Sequence, residues 1–346
     1  MGRLHSRAER ARRRQIGRNR RVPTKQTDFS RFTRNFRDGG TIYGQQRFFG
    51  GAGRGYSMRV VLFCGGLGMR MRDYSDNIPK PMVQIGYRPL IWWVMKYYAH
   101  FGHRDFILCL GYKSDVIKNY FLNYNECLSN DFVLSHGGQR IDLLRKDIDD
   151  WRITFVDTGL NSNIGERLRA VEPFLRDDEM FLANYTDGLT DFPLPTIINE
   201  FTRSEHIATF LSVRPNYSFH FVARDERGHV TAIDDVLSAN AWINGGFFVL
   251  RRAIFDYMQP GEELVVEPFQ RLIAEGRLAT HAHGGFWRCV DTFKDLQALE
   301  SLYAKGNAPW ELWRRDPVTT PVATEKPRPI ETGSDGATAW QVRVRS

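Results

Sequence analysis

Four charged side chains in this sequence are of the types that handle phosphate: Arg70, Lys80, Asp187 and Asp291. Arg70 follows three glycines in four residues, Gly65, Gly66 and Gly68, and Lys80 stands between Pro79 and Pro81. Glycines admit φ > 0 and let bare backbone N–H groups approach a ligand. A guanidinium forks two phosphate oxygens, whereas a lysine acts as a point charge. Mg2+ reaches a polyphosphate through one or two carboxylates plus phosphate oxygens. Asp187 and Asp291 can therefore share one Mg2+ on the α-phosphate of a nucleoside triphosphate. Arg70 would then hold the β- and γ-phosphates and Lys80 would neutralise charge at the α-phosphorus. Taken singly, each carboxylate reads better as a cap or turn residue; their shared placement favours phosphate chemistry.

That placement comes from the elements around them. Val60-Val61-Leu62-Phe63 is an apolar β-branched run, a predicted buried strand that ends at the glycines. Strands are predicted at 105–110, closing at Gly111, and at 151–156 and 179–185, the last ending in Thr186-Asp187-Gly188. A carboxylate directly after a central strand lies where open α/β sheets bind ligands. Helices are predicted at 90–101, with Trp92 and Trp93 as core rather than a base-stacking platform, from Ser114 as cap to Leu122, from 164, and at 195–203. Further strands fall at 207–213, 219–224, 229–234 and 243–251, with helices at 264–275 and 295–305. The alternation predicts an α/β fold with a Rossmann-like mixed, mostly parallel sheet flanked by helices.

The charge is unevenly spread. Residues 1–57 hold fifteen Lys/Arg against three Asp/Glu, and the remainder thirty-three against thirty-seven. The basic excess belongs to a segment expected to be a disordered tail or a mis-assigned start ahead of Met58; its Arg12-Arg13-Arg14 cluster could touch RNA or anionic lipid. The folded body, 58–313, is mildly acidic, and no nucleic acid is expected for it. The Pro- and Thr-rich 314–346 segment is expected to be a disordered C-terminal tail. No apolar run reaches the ~20 residues of a membrane span. Cys64, Cys109, Cys127 and Cys289 form no CxxC pair, which fits a reducing cytoplasm.

Several motif classes are absent. Gly66–Met71 lacks the third glycine of a dinucleotide fingerprint, and neither a GxxxxGK[ST] loop nor a GxSxG elbow occurs. His281 and His283, two apart on a predicted strand, read as surface histidines rather than a zinc site. Gly65-Gly66-Leu67-Gly68-Met69-Arg70, followed by Pro79-Lys80-Pro81-Met82 and Ile85-Gly86, resembles the signature of the sugar-1-phosphate nucleotidyltransferases. Gly111-Tyr112-Lys113, Val156-Asp157-Thr158-Gly159, Asp187-Gly188, Ile243-Asn244-Gly245-Gly246-Phe247-Phe248, Gly285-Phe286-Trp287 and Asp291-Thr292 continue it in order, most similar to the glucose-1-phosphate cytidylyltransferases.

The resemblance implies transfer of a nucleotidyl group from an NTP, CTP by the best match, to a sugar-1-phosphate, with Mg2+ as cofactor and pyrophosphate as second product. By match, Gly65, Gly66, Gly68 and Gly111 would meet the nucleotide, Arg70 and Lys80 its phosphates, and Arg167 would lie nearby. Asp187 and Asp291 would hold the metal, and Asn244 and Gly245 would line the sugar. A homo-oligomer is expected. Two positions depart from the pattern. Met69 stands where the family has Thr, and 230–236 (VTAIDDV) lacks the lysine with which the family grips the sugar phosphate. Arg214, Arg224 or Lys294 are the candidates to replace it. Alternatives are a pyrophosphorylase of another base and sugar, a non-catalytic nucleotide- or sugar-phosphate-binding module, or a glycosyltransferase using Asp187 and Asp191 as its metal pair.

Overall fold

The computed structural model of the chain describes residues 57–65, 78–215, 220–235, 241–314 and 341–344. Gly66, Gly68 and Arg70 lie outside the described residues, as do the basic segment 1–56 and most of 315–346.

Strand β1 (Arg59–Phe63) has four of its five residues buried, as expected of a central parallel strand covered on both faces. A short hairpin, β2 (Gln84–Ile85) and β3 (Arg88–Pro89), feeds α1 (Leu90–His100). Trp92 and Trp93 on α1 are each 1% exposed and meet edge to face at 4.9 Å; they are core. After β4 (Asp105–Leu110), helix α2 (Ser114–Leu122) begins behind Lys113, not behind a Ser114 cap. Lys113 takes a left-handed φ of 50° and turns the chain itself, so Ser114 is already helical.

Next come β5 (Phe132–Ser135), β6 (Arg140–Leu143), β7 (Arg152–Asp157), and α3 (Ile164–Val171), the helix closed by an Asn163/Glu166 capping box. The chain continues through β8 (Met180–Tyr185), β9 (Gly188–Thr190), α4 (Pro195–Thr202), β10 (Ala208–Val213) and the hairpin β11 (His220–Arg224) with β12 (Val230–Asp235). It ends with β13 (Ile243–Asn244), β14 (Phe248–Arg251), α5 (Glu267–Ala274), β15 (Leu278–His283), β16 (Trp287–Cys289), α6 (Phe293–Ala304) and β17 (Gln341–Val344). Strand β17 joins β6 in parallel. The alternation in Gln341-Val342-Arg343-Val344 is a strand period that compositional reasoning about the C-terminal segment passes over.

In the main sheet β7, β4, β1 and β8 are parallel neighbours; β14 joins β8 antiparallel, and β10 lies between β14 and a parallel β15. Alternate residues of β1 and β4 enter two apolar clusters, Val60, Leu62, Phe106 and Leu108 beneath α1, and Val61, Phe63, Ile107 and Cys109 beneath α3 and α5. The parallel strands β1, β4, β8, β10 and β15 all end at one edge, and that edge carries the site.

The single strand predicted over 243–251 is two. Between β13 and β14, Gly246 (φ 79°) and Phe247 (φ 52°) leave the ladder, while Leu211 bonds both Gly245 and Gly246. A Cβ on Gly246 would fall 2.4 Å from Asn184 Oδ1, the atom that accepts the Phe247 N–H at 2.8 Å. Only glycine permits that approach.

Candidate active site

Gly65 and Gly111 follow β1 and β4 at the sheet edge and rest on one guanidinium. Ideal Cβ atoms there would lie 2.2 Å and 2.9 Å from Arg167 Nη1. Arg167, on α3, is 1% exposed and donates to Thr158 Oγ1 at 2.7 Å and to the Leu110 carbonyl at 3.2 Å. A further bond reaches the Leu160 carbonyl at 3.4 Å, so the guanidinium ties the chain ends after β4 and β7 together beneath Gly65 and Gly111. Cys64 and Cys109 sit in the same layer. Burial pushes both thiols up, Cys109 to about 12, so they are packing groups.

Lys80 begins a single 3-10 turn, Lys80–Met82, behind Pro79. Its ammonium donates to Asp187 Oδ2 at 2.6 Å and to Asp291 Oδ1 at 2.7 Å. Both acids come from one small ribbon. Thr186, whose hydroxyl donates to the Phe63 carbonyl at 3.1 Å, hands the chain from β8 to Asp187. Then β9 pairs antiparallel with β16, Gly188 opposite Cys289, and the Val290 N–H donates to the Asp187 carbonyl at 2.9 Å. The ribbon therefore delivers Asp187 and Asp291 side by side. Cys289 Sγ donates to Asp291 Oδ2 at 3.4 Å, and the Asp291 N–H donates to Asp295, the residue that completes the α6 capping box with Thr292. Burial alone would lower the Lys80 pKa; the Asp187 charge, the two hydrogen bonds and the Asp291 charge outweigh it, and the pKa is raised.

The donor set fits a hard divalent cation. Two carboxylates converge on one point, and their side chains are 29% and 22% exposed. Among the described residues no three of His, Cys, Asp or Glu converge, so a metal here would take its other oxygens from phosphate and water.

Asp191 is engaged by other partners. Its Oδ1 accepts the Phe286 N–H at 2.9 Å and lies 3.0 Å from His283 Nε2, which removes it from the metal pair a glycosyltransferase would need. His281 Nδ1 lies 2.7 Å from Glu200 Oε2. Both rings pack on Phe192, at 5.0 and 5.2 Å. These histidines share a strand face, as their spacing implies, but they are part-buried partners of carboxylates rather than surface residues. Their acids stand on other elements, beyond the reach of local spacing.

On the other flank, Asn244 ends β13 exposed, with Nδ2 3.4 Å from the Tyr185 hydroxyl and Oδ1 accepting the Gly246 N–H. Trp287 Nε1 donates to the Gly245 carbonyl at 2.9 Å and lies 3.5 Å from where a Gly188 Cβ would be. Trp287 and Tyr185 thus join the two halves of the site. Sequence reasoning singled out neither, although Trp287 stands in the Gly285-Phe286-Trp287 match. Of the cations considered for the acceptor, Arg224 ends β11, Lys294 lies in the first turn of α6 and Arg214 follows β10, all three exposed.

The family model described as nucleotidyl transferase matches residues 59–306. The glucose-1-phosphate cytidylyltransferase of Salmonella typhimurium (strain LT2) is 38% identical over 259 residues, 74% of this chain and 100% of that one. The D-glycero-alpha-D-manno-heptose 1-phosphate guanylyltransferase of Campylobacter jejuni is 26% identical over 213 residues, 61% of this chain and 84% of that one. The crystal structure of HddC from Yersinia pseudotuberculosis aligns with a TM-score of 0.52 at 19% identity, covering 71% of this chain and 99% of that chain; at that identity the likeness speaks for the fold.

Proposed function

Because the chain belongs to the nucleotidyl transferase family, we propose that it joins CTP to glucose 1-phosphate, giving CDP-glucose and pyrophosphate. The observation that carries this is the Lys80–Asp187–Asp291 cluster at the carboxyl edge of the sheet, one strand from the glycine turn. The 38% identity to a cytidylyltransferase over that protein's whole length supports this base and sugar over other pairs.

The chemistry asks for alignment rather than a protein nucleophile. A sugar phosphate is dianionic near neutral pH, its second pKa being ~6. One of its oxygens attacks the α-phosphorus, the bond to the oxygen bridging the β-phosphorus breaks, and pyrophosphate leaves with that electron pair. Backbone N–H groups at Gly65, Gly66, Gly68 and Gly111 would cradle the nucleotide on the Arg167 floor. Arg70 would hold the β- and γ-phosphates. Lys80 would neutralise charge at the α-phosphorus while ordering the two acids. Asp187 and Asp291 would hold the divalent metal, here assigned as Mg2+, which when bound neutralises phosphate oxygens. Asn244 and Gly245 would take the sugar.

We place the enzyme in the cytoplasm, on the expectation that its four free thiols stay reduced. No helix among the described residues is long and apolar enough to cross a membrane. A homo-oligomer is the proposed assembly: β5, at the edge of its own small sheet, shows Phe132, Val133 and Leu134 to solvent. Light scattering tests it. For the activity, a panel of four NTPs against several sugar 1-phosphates, read by pyrophosphate release, should give its highest rate with CTP and glucose 1-phosphate. Silence from every pair at high Mg2+ overturns the assignment.

A further inference from the structure

A sugar 1-phosphate must bring a dianion up to the triphosphate of the nucleotide, whose charge a metal on Asp187 and Asp291 offsets only in part. That approach is repulsive unless a cation stands on the acceptor's side, and Lys80 is already bonded to both acids. Resting on the transferase function proposed above, we propose that Arg214 receives the phosphate of the acceptor.

Arg214 is the residue after β10, whose pairing sets Ser212 opposite Asn244 and Val213 opposite Ile243. Strand β10 is parallel to β8, so Arg214 leaves the sheet at the same edge as Asp187. It lines a recess of about 270 Å³ whose walls include Val213, His283 and Trp287. That volume, just under the ~300–1,000 Å³ of ordinary ligand pockets, suits a monosaccharide better than a nucleotide. The recess adjoins the acceptor turn: a Gly245 Cβ would sit 2.9 Å from Val213 Cγ1, and Trp287 bonds the Gly245 carbonyl. The Arg214 guanidinium lies 5.1 Å from the Trp242 ring centre. Stacking of that kind orients a fork whose in-plane N–H groups match phosphate oxygens. Neither of the other candidates lines this recess. Arg224 pairs with Val230 at the tip of its hairpin, and Lys294 lies in the first turn of α6. Residues 230–236 offer Asp234 and Asp235 and no base.

Steady-state kinetics on the full chain test this. Arg214→Ala should raise KM for glucose 1-phosphate roughly ten- to a hundredfold, the range for a lost charge-assisted contact. KM for CTP and, in the reverse direction, for pyrophosphate should stay within about twofold. Arg214→Lys should recover part of the loss, and Arg224→Ala should behave as wild type. An unchanged KM for glucose 1-phosphate, or an equal rise in KM for CTP, overturns the proposal. If Arg214→Ala fails to fold, Arg214→Lys and Arg214→Gln decide it by the same split. Calorimetry with glucose 1-phosphate alone separates the two readings. Arg214-dependent binding without turnover by the wild type would sink the transferase function and uphold this assignment; binding indifferent to Arg214 would sink this assignment alone.

Discussion

Replacing Lys80 by Met keeps the length of the side chain and removes its charge. The oxygens of Asp187 and Asp291 that flank the ammonium are each within 2.7 Å of it, so they are about 5 Å apart at most. Two unit charges at that separation repel by about 3 kcal/mol at an effective dielectric of ~20, a repulsion that a bound divalent ion relieves. At saturating Mg2+ the loss that remains is the charge-assisted contact to the phosphate, about 2–3 kcal/mol, so kcat should fall roughly 30- to 100-fold. Folding should suffer far less, because both acids reach solvent and can take up a proton or a cation; a Tm within a few degrees of wild type is expected. A second readout does not depend on turnover. Without the ammonium, the paired acids should bind Mn2+ about tenfold more tightly in the absence of nucleotide, measured by the loss of free-ion resonance signal. Turnover within about threefold of wild type, or weaker Mn2+ binding by the variant, would refute the role given to Lys80.

Other consequences are equally open to measurement. The buried His103 accepts the Met58 N–H at Nδ1, 3.0 Å away, and burial, then the charge of Arg104, lowers its pKa to about 4. Its folded pKa lies below the unfolded value, so its contribution is whole above pH ~6.5 and is lost as pH falls toward 4, by at most about 3 kcal/mol; His103→Asn should flatten that part of the Tm profile, and parallel profiles would count against it. Gly65→Ala drives a methyl into the buried Arg167 and should cost about 1–3 kcal/mol in stability, with KM for CTP up about tenfold or more; a normal KM for CTP would show that the turn does not meet the nucleotide. Trp287→Phe keeps the ring and loses the donor to Gly245, so KM for glucose 1-phosphate should rise by roughly tenfold while KM for CTP holds.

The sheet was legible because its strands are continuous apolar runs closed by glycine or a carboxylate. Asp187 and Asp291 could be chosen for the same reason, each standing where a run stops. What local pattern cannot show is pairing across the chain. The ribbon of β9 and β16 is three residues on each side, too short for a periodic signal, and the partners of His281 and His283 come from α4 and from the end of β9. The break at Gly245–Phe247 escaped because INGGFFVLR reads as one apolar strand; it is visible only as positive φ. Resemblance puts Arg167 near the nucleotide, but nothing local reveals that two glycines leave room for its guanidinium beneath them.

That same ribbon dates the site within the life of the chain. Asp187 and Lys80 emerge early from the ribosome, but Asp291 belongs to a segment made more than a hundred residues after Asp187, and α6, whose capping box anchors it, follows still later. Contacts of such sequence separation form late in folding. A nascent or C-terminally clipped chain can thus possess β1, β4, β7 and β8 and still lack the second acid. Competence for chemistry should arrive as one of the last events of maturation, so that activity reports on completeness of the chain more sharply than secondary structure does.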